Sequence, residues 1–318
     1  MTTRYFNNAV NTSWDTLGNW WLDAAFSTPS TSIPVNGDTV FIGANLDTGP
    51  SVAVTLPIVN VADASTGGGS FAFSGLELAV IGVLNTYDGS YINGGNVTAT
   101  TWNSYNCSNN QSNVTATTWN SYNYSNNQSN VYATTWNSYN YSYNYSNVYA
   151  TTWNSHDSSN NQSTVNVTTW NSHDSSNNNA YISTGSGYNN GNVTTTTWNS
   201  YDSSNNSGGS VTTSTWNSYD SSYNSHDGGV NDGYVGVTTW NSYDNSLNSS
   251  NDLANNLRST VGATTWNSYG TSYNNGNVYT STTNFYSITS VKQSLTGGSL
   301  NGVIHILPAD ILTTGFPS

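Results

Sequence analysis

Directly after two copies of the T-W-N-S marker stand residue types suited to acid–base or nucleophilic chemistry, His156-Asp157 and His173-Asp174, each set in a field of serines. A nucleophilic site needs Ser or Cys, His and a carboxylate in fixed geometry. The spacing argues for something else. The histidines are 17 residues apart, and other repeats place Tyr105, Tyr122, Tyr139, Tyr201, Tyr219, Tyr243 and Tyr269 at the same position. They read as variants of a repeated aromatic. His226 falls in an insertion loop, and His305 alternates with Val303 and Leu307 in a strand-like run. Glycoside hydrolysis needs two carboxylates at defined separation. Glu77 is the only glutamate, and no aspartate pair stands out, so no catalytic residue is expected.

The residue after each Tyr or His is Asn106, Asn123 and Asn140, then Asp157, Asp174, Asp202, Asp220 and Asp244. If repeats stack in register, these aspartates form a column of like charges, which repel. The bland reading points them into water. The sharper one places Ca²⁺ between repeats, since calcium takes about six to eight oxygen ligands. No other cofactor is implied. N-x-S/T triplets at Asn96, Asn106, Asn113 and Asn123 are glycosylation acceptors only if the source glycosylates and exports the chain. Cys107 stands alone, at a position that Tyr124 and Tyr141 fill in the next repeats, which excludes a disulfide framework.

These residues belong to a tandem repeat. Its marker, T-W-N-S, is centred on Trp102, Trp119, Trp136, Trp153, Trp170, Trp198, Trp216, Trp240 and Trp266, with spacings of 17, 17, 17, 17, 28, 18, 24 and 26. The added residues, as in AYISTGSGYNNG and LNSSNDLANNLRS, fall between an Asn/Ser run and the next Val-Thr run. Insertions at one point of each repeat mark loops on one face of a stacked array. Each repeat holds one strand-like run, VTATTW or VYATTW, followed by a turn-prone N-S-Y-N or N-S-Y-D. Proline is absent from 58 to 307, so no ladder donor is lost there.

The expected fold is therefore all-β: a β-solenoid of 17-residue coils, with insertions in later coils and a β-rich N-terminal cap region. A meander of hairpins is the alternative. Val97 and Trp102 are five apart, so in an unbroken strand they face opposite sides. Either the strand bends near Thr100 or the tryptophans lie outside.

Composition agrees with a scaffold. Charged residues are 6%, against about 25% in ordinary domains, so hydrogen bonds and packing must hold the fold. The 12 Trp and 23 Tyr separate this chain from disordered ones, which are poor in aromatics. A net charge of −13 with three basic residues opposes nucleic-acid binding, and no apolar run is long enough for membrane insertion. The first residues lack the apolar core of a secretory signal. Release by lysis, another export route, or a mature form are the remaining options.

Three regions follow. Residues 1–95 form a β-rich capping or attachment region with short apolar runs and Trp14, Trp20 and Trp21. Residues 96–283 form the repeat solenoid. Residues 284–318 form a C-terminal cap or assembly segment, in which GVIHIL is a strand without an obvious partner. The Trp-rich start followed by P-x-x-G-D-T-V-x-I, and the T-W-N-S-Y-(N/D) repeats, resemble the β-solenoid fibre and adhesin proteins of phage virions and bacterial surfaces. Those arrays use Phe where this chain uses Trp, and carry more Gly. The resemblance implies a non-catalytic fibre or adhesin at a virion surface or outside the cell, and brings no catalytic residues. Its expected partner is itself, as a homo-oligomer or head-to-tail filament, with surface glycans as a further class. The alternatives are a carbohydrate-binding module or polysaccharide depolymerase, suited by exposed aromatics, and an ice-binding protein with two outward Thr per coil.

Overall fold

The computed structural model describes residues 2–44, 46–47, 50, 54–61, 70–72, 78–93, 95–161, 163–174, 177–179, 192–202, 205–207, 210–221, 223–226, 234–250, 260–274, 277–286 and 299–306. It is a β-solenoid. Among the described residues, apart from one 3₁₀ turn at Leu17–Asn19, the regular structure is strand. The chain forms two compact parts, Met1–Thr151 and Thr152–Ser318, which divide inside the strand Val148–Ser155.

In the first part, Thr3–Phe6, Thr39–Ile42, Leu56–Val61, Leu78–Thr86, Asn96–Ser104, Asn113–Ser121 and Val131–Ser138 pair successively in parallel. Short strands, among them Asn109–Asn110, Asn126–Asn127 and Tyr143–Asn144, form a second parallel ladder. From Leu56–Val61 onward, each coil of this part contributes one longer and one short strand. The change of composition near residue 95 is no change of architecture, because Leu78–Thr86 already pairs with Asn96–Ser104. The edge is closed by the two-residue strand Trp20–Trp21, antiparallel to Thr3–Phe6. Beneath it Trp14 and Trp20 are buried edge to face at 4.8 Å, while Trp21 is half-buried. Arg4 is buried here and ion-pairs with Asp38 at 3.2 Å; its guanidinium also donates to Ser30 and Ser32.

The second part repeats the scheme through Asn192–Ser200, Ser210–Ser218, Tyr234–Ser242, Thr260–Ser268 and Asn277–Phe285. The strand expected to lack a partner does have one. Ser299–Ile306 pairs in parallel with Asn277–Phe285, setting Ile304 against Thr283 and His305 against Asn284. His226, expected in a loop, ends the short strand Tyr223–His226. The insertion at 180–191, most of that at 247–259, and Pro308 and Pro317 lie outside the described residues.

The long strand bends. Along Asn113–Ser121, Val114 and Ala116 are buried, Thr117 is exposed, and the buried positions resume at Trp119 and Ser121. Backbone pairing to both neighbours skips Thr117. One residue is spent on the corner, so residues five apart both face the core, and the tryptophans lie inside. A corner frees carbonyl groups, and a buried carbonyl needs a donor. Where the inward residue before the bend is Thr, its hydroxyl serves: Thr195 Oγ1 donates to Thr168 O at 2.8 Å, and Thr213 Oγ1 to Thr196 O at 3.0 Å.

Candidate functional site

The residues of T-W-N-S-Y-(N/D) stack in columns, each position over the same position of the neighbouring coil. The nine tryptophans are each at most 1% exposed. In the first part Trp102, Trp119 and Trp136 stack at 5.3 and 5.2 Å. In the second, Trp153, Trp170, Trp198, Trp216, Trp240 and Trp266 stack at 4.7–5.4 Å with rings within 12° of parallel. A buried indole N–H needs an acceptor. It finds one in the coil before: Trp198 Nε1 donates to Ser172 Oγ at 3.0 Å, Trp216 to Ser200 at 2.8 Å, and Trp266 to Ser242 at 2.7 Å. This is why Ser follows Trp by two residues, since both then point inward. Trp119 is the exception. Its Nε1 has no partner, and Ser104 Oγ is engaged with Ser108 Oγ instead.

The Asn between Trp and Ser is half-buried and faces outward. Its amide donates to the same residue of the preceding coil: Asn103 to Asn85, Asn120 to Asn103 and Asn137 to Asn120, each at 2.8 Å. In the second part, Asn199, Asn217, Asn241, Asn267 and Asn284 continue the pattern. A second amide column is buried on the short strands and runs the other way. Asn110 Nδ2 donates forward to Asn127 Oδ1 at 2.9 Å, and Asn127 to Asn144 at 2.8 Å. Each Oδ1 also accepts a backbone N–H two residues on, as from Ser112 to Asn110 and Ser129 to Asn127. Low dielectric strengthens such chains and makes a broken link costly.

Tyrosines follow the same logic. Tyr105, Tyr122 and Tyr139 stack at 5.0 Å, and Tyr201, Tyr219, Tyr243, Tyr269 and Tyr286 at 4.4–4.9 Å. His156 and His173 sit in this column: they stack on one another at 4.6 Å, and His173 stacks on Tyr201 at 4.5 Å. Burial, and then the His156 ring, hold the His173 pKa below its ordinary value, while Asp174 and Asp202 oppose that shift.

The aspartate column is explained by the backbone. Asn106, Asn123 and Asn140 have φ of 49–51°, and Asp157, Asp174, Asp202, Asp220 and Asp244 have φ of 51–57°. This left-handed conformation favours Asn, Asp and Gly; Gly270, at φ 61°, takes the place in the next coil. The five aspartates are exposed. Among the described residues no group of three or more His, Cys, Asp or Glu gathers as a metal cage.

The sequons are exposed, but their amides point along the stack. Asn106 donates to Asp88 and Asn123 to Asn106, both at 3.0 Å, and Asn113 donates to Asn96 at 3.4 Å. Outward Thr pairs occur at Thr98/Thr100, Thr115/Thr117 and Thr194/Thr196. Tyr132, Tyr149, Asn166, Gly236 and Gly262 replace the first Thr in other coils, and Ser214 replaces the second beside Thr212. The sequence alone does not reveal the turn conformation, the opposed amide columns or the Arg4–Asp38 pair. An Asn/Asp/Gly alternation at one repeat position is the available signal for the first. Comparison with protein-family models, with curated proteins and with solved structures found no match to this chain.

Proposed function

We propose that the chain is a non-catalytic structural or adhesive fibre protein that associates with its own kind at a virion or microbial surface. The observation that carries this reading is the use made of its polar residues. Trp–Ser, Asn–Asn and Tyr–Tyr contacts engage identical positions of neighbouring coils, whereas an active site would converge unlike groups on one point. His156 and His173 are taken up in the aromatic column. A parallel stack also ends in unpaired strand edges, which template further strands unless covered. The antiparallel Trp20–Trp21 strand covers one such edge, while Val303, Ile304 and Ile306 on the last described strand are exposed. Electron microscopy and light scattering of purified protein over a range of concentrations test the reading, alongside a polysaccharide depolymerisation assay. Filaments or multimers without sugar release are expected. A strict monomer at high concentration, or depolymerisation lost on an Asp→Asn change, overturns it.

A further inference from the structure

Among the described residues, two stacked tyrosine pairs have both rings exposed. Tyr124 and Tyr141, 52% and 48% exposed, stack at 5.2 Å and 5°. Tyr132 and Tyr149, 47% and 38% exposed, stack at 5.1 Å and 9°. Each pair is isolated, since the same positions in the flanking repeats are Cys107 and Ser158, and Thr115 and Asn166. Near-parallel rings one coil apart are related almost by pure translation, so their equivalent Cε carbons are separated by about the coil spacing of 5 Å. Two groups held side by side react as if at very high local concentration.

We propose that Tyr124/Tyr141 and Tyr132/Tyr149 are sites of oxidative cross-linking, where hydrogen peroxide acting through a haem peroxidase couples each pair into a dityrosine within one chain. Each phenol gives one electron to the oxidised haem and loses its hydroxyl proton, leaving a phenoxyl radical. The two radicals join through a new Cε–Cε bond. Each ring then moves the hydrogen of that carbon to its oxygen, restoring two phenols. In all, two tyrosines and one peroxide give one dityrosine and two waters. The buried tryptophans are out of the oxidant's reach. Tyr122 in the half-buried column holds its proton more firmly, its pKa raised by burial and then by Tyr105 and Tyr139. The exposed pairs therefore react first. The product ties adjacent coils together at the rim without disturbing the interior.

The test treats dilute full-length protein with peroxidase and peroxide, isolates the monomer under denaturing conditions, and maps cross-links by pepsin digestion and mass spectrometry. Peptides joining Tyr124 to Tyr141 and Tyr132 to Tyr149 are expected to dominate, with a yield unchanged on dilution. The Tyr141→Phe/Tyr149→Phe variant keeps the ring stacks and should lose both links. Cross-links spread over unstacked tyrosines, links only between chains, or coupling confined to Tyr105, Tyr122 and Tyr139 would overturn the proposal.

Discussion

In the coils before residue 95, the column that later carries tryptophan holds Val40, Val59 and Leu84, and the column that later carries serine holds Ile42, Val61 and Thr86. From Asn96 onward the same two columns hold Trp and Ser. One parallel stack is thus filled in two ways. Aliphatic burial has no direction and scales with the area removed from water. The indole–hydroxyl pair is directional, so it fixes which coil faces which. The Asn column bridges the two regimes, since Asn60, Asn85 and Asn103 already form an unbroken ladder across the change. Polar ladders specify register while apolar columns supply burial, and the repeat region uses one residue, Trp, for both.

The contrast is broken most severely at a tryptophan. Trp216→Ala removes a buried ring stacked at 4.8 and 4.9 Å on its neighbours and hydrogen-bonded to Ser200. A loss of about 3–5 kcal/mol is expected in chemical denaturation. Val59→Ala in the aliphatic coils should cost about 2 kcal/mol. Equal losses would mean that the stacks add nothing beyond area.

Next come the two amide columns. Asn127→Ala leaves the buried Asn110 amide and the Asn144 carbonyl without their link, and should cost about 2–4 kcal/mol. Asn120→Ala, in the half-buried outer ladder, should cost about 1 kcal/mol, because water can replace its partners. Unfolding midpoints in the reverse order would show that burial does not govern the ladders.

An effect smaller than that of the buried amide column is expected at the turn. Asn123, at φ 51°, is followed by Tyr124 at φ 63°. Asn123→Ala should cost about 1–2 kcal/mol through the left-handed conformation. Asn123→Gly should recover most of that, the remainder measuring the bond it donates to Asn106 and the one it accepts from Asn140. If both variants behave alike, the amide ladder and not the backbone selects Asn.

The smallest effect is acid sensitivity. The folded pKa of His173 lies below its unfolded value of about 6.5. The folded state therefore prefers the neutral ring. That preference is fully present above about pH 6.5 and is lost as pH falls from there through the lower folded value. His173→Tyr, which restores the residue of neighbouring repeats, should flatten the stability difference between about pH 8 and about pH 5.5. An unchanged slope would assign the effect to the carboxylates.

Much of this was legible in the residues. The 17-residue spacing of the tryptophans and the Val-Thr runs before them carry the solenoid, because translation by one coil is a periodic constraint that sequence records directly. The bend was legible as a conflict between Val97 and Trp102, five apart, and its place near Thr100 holds, since pairing skips both Thr100 and its counterpart Thr117; alternation left open only whether the strand bends or the tryptophans lie outside. The left-handed turn was hidden because Asn and Asp serve equally as turn residues and as ligands. The partner of Ser299–Ile306 was obscured because the strand before it, Asn277–Phe285, has already lost the Trp marker, with Thr283 in its place. The Arg4–Asp38 pair joins residues 34 apart, outside any repeat.

The identity of successive coils reaches beyond stability. Each coil offers its successor the same acceptors, donors and ring faces that it receives from its predecessor. An added or deleted copy therefore presents no new junction to solve, and the contacts on either side close over it unchanged. Near-identical segments such as NVTATTWNSYNCSNNQS and NVTATTWNSYNYSNNQS are what repeated duplication leaves behind. Coil number in such a protein is a quantity that inheritance can vary in whole steps, one turn at a time, without a folding penalty at each step.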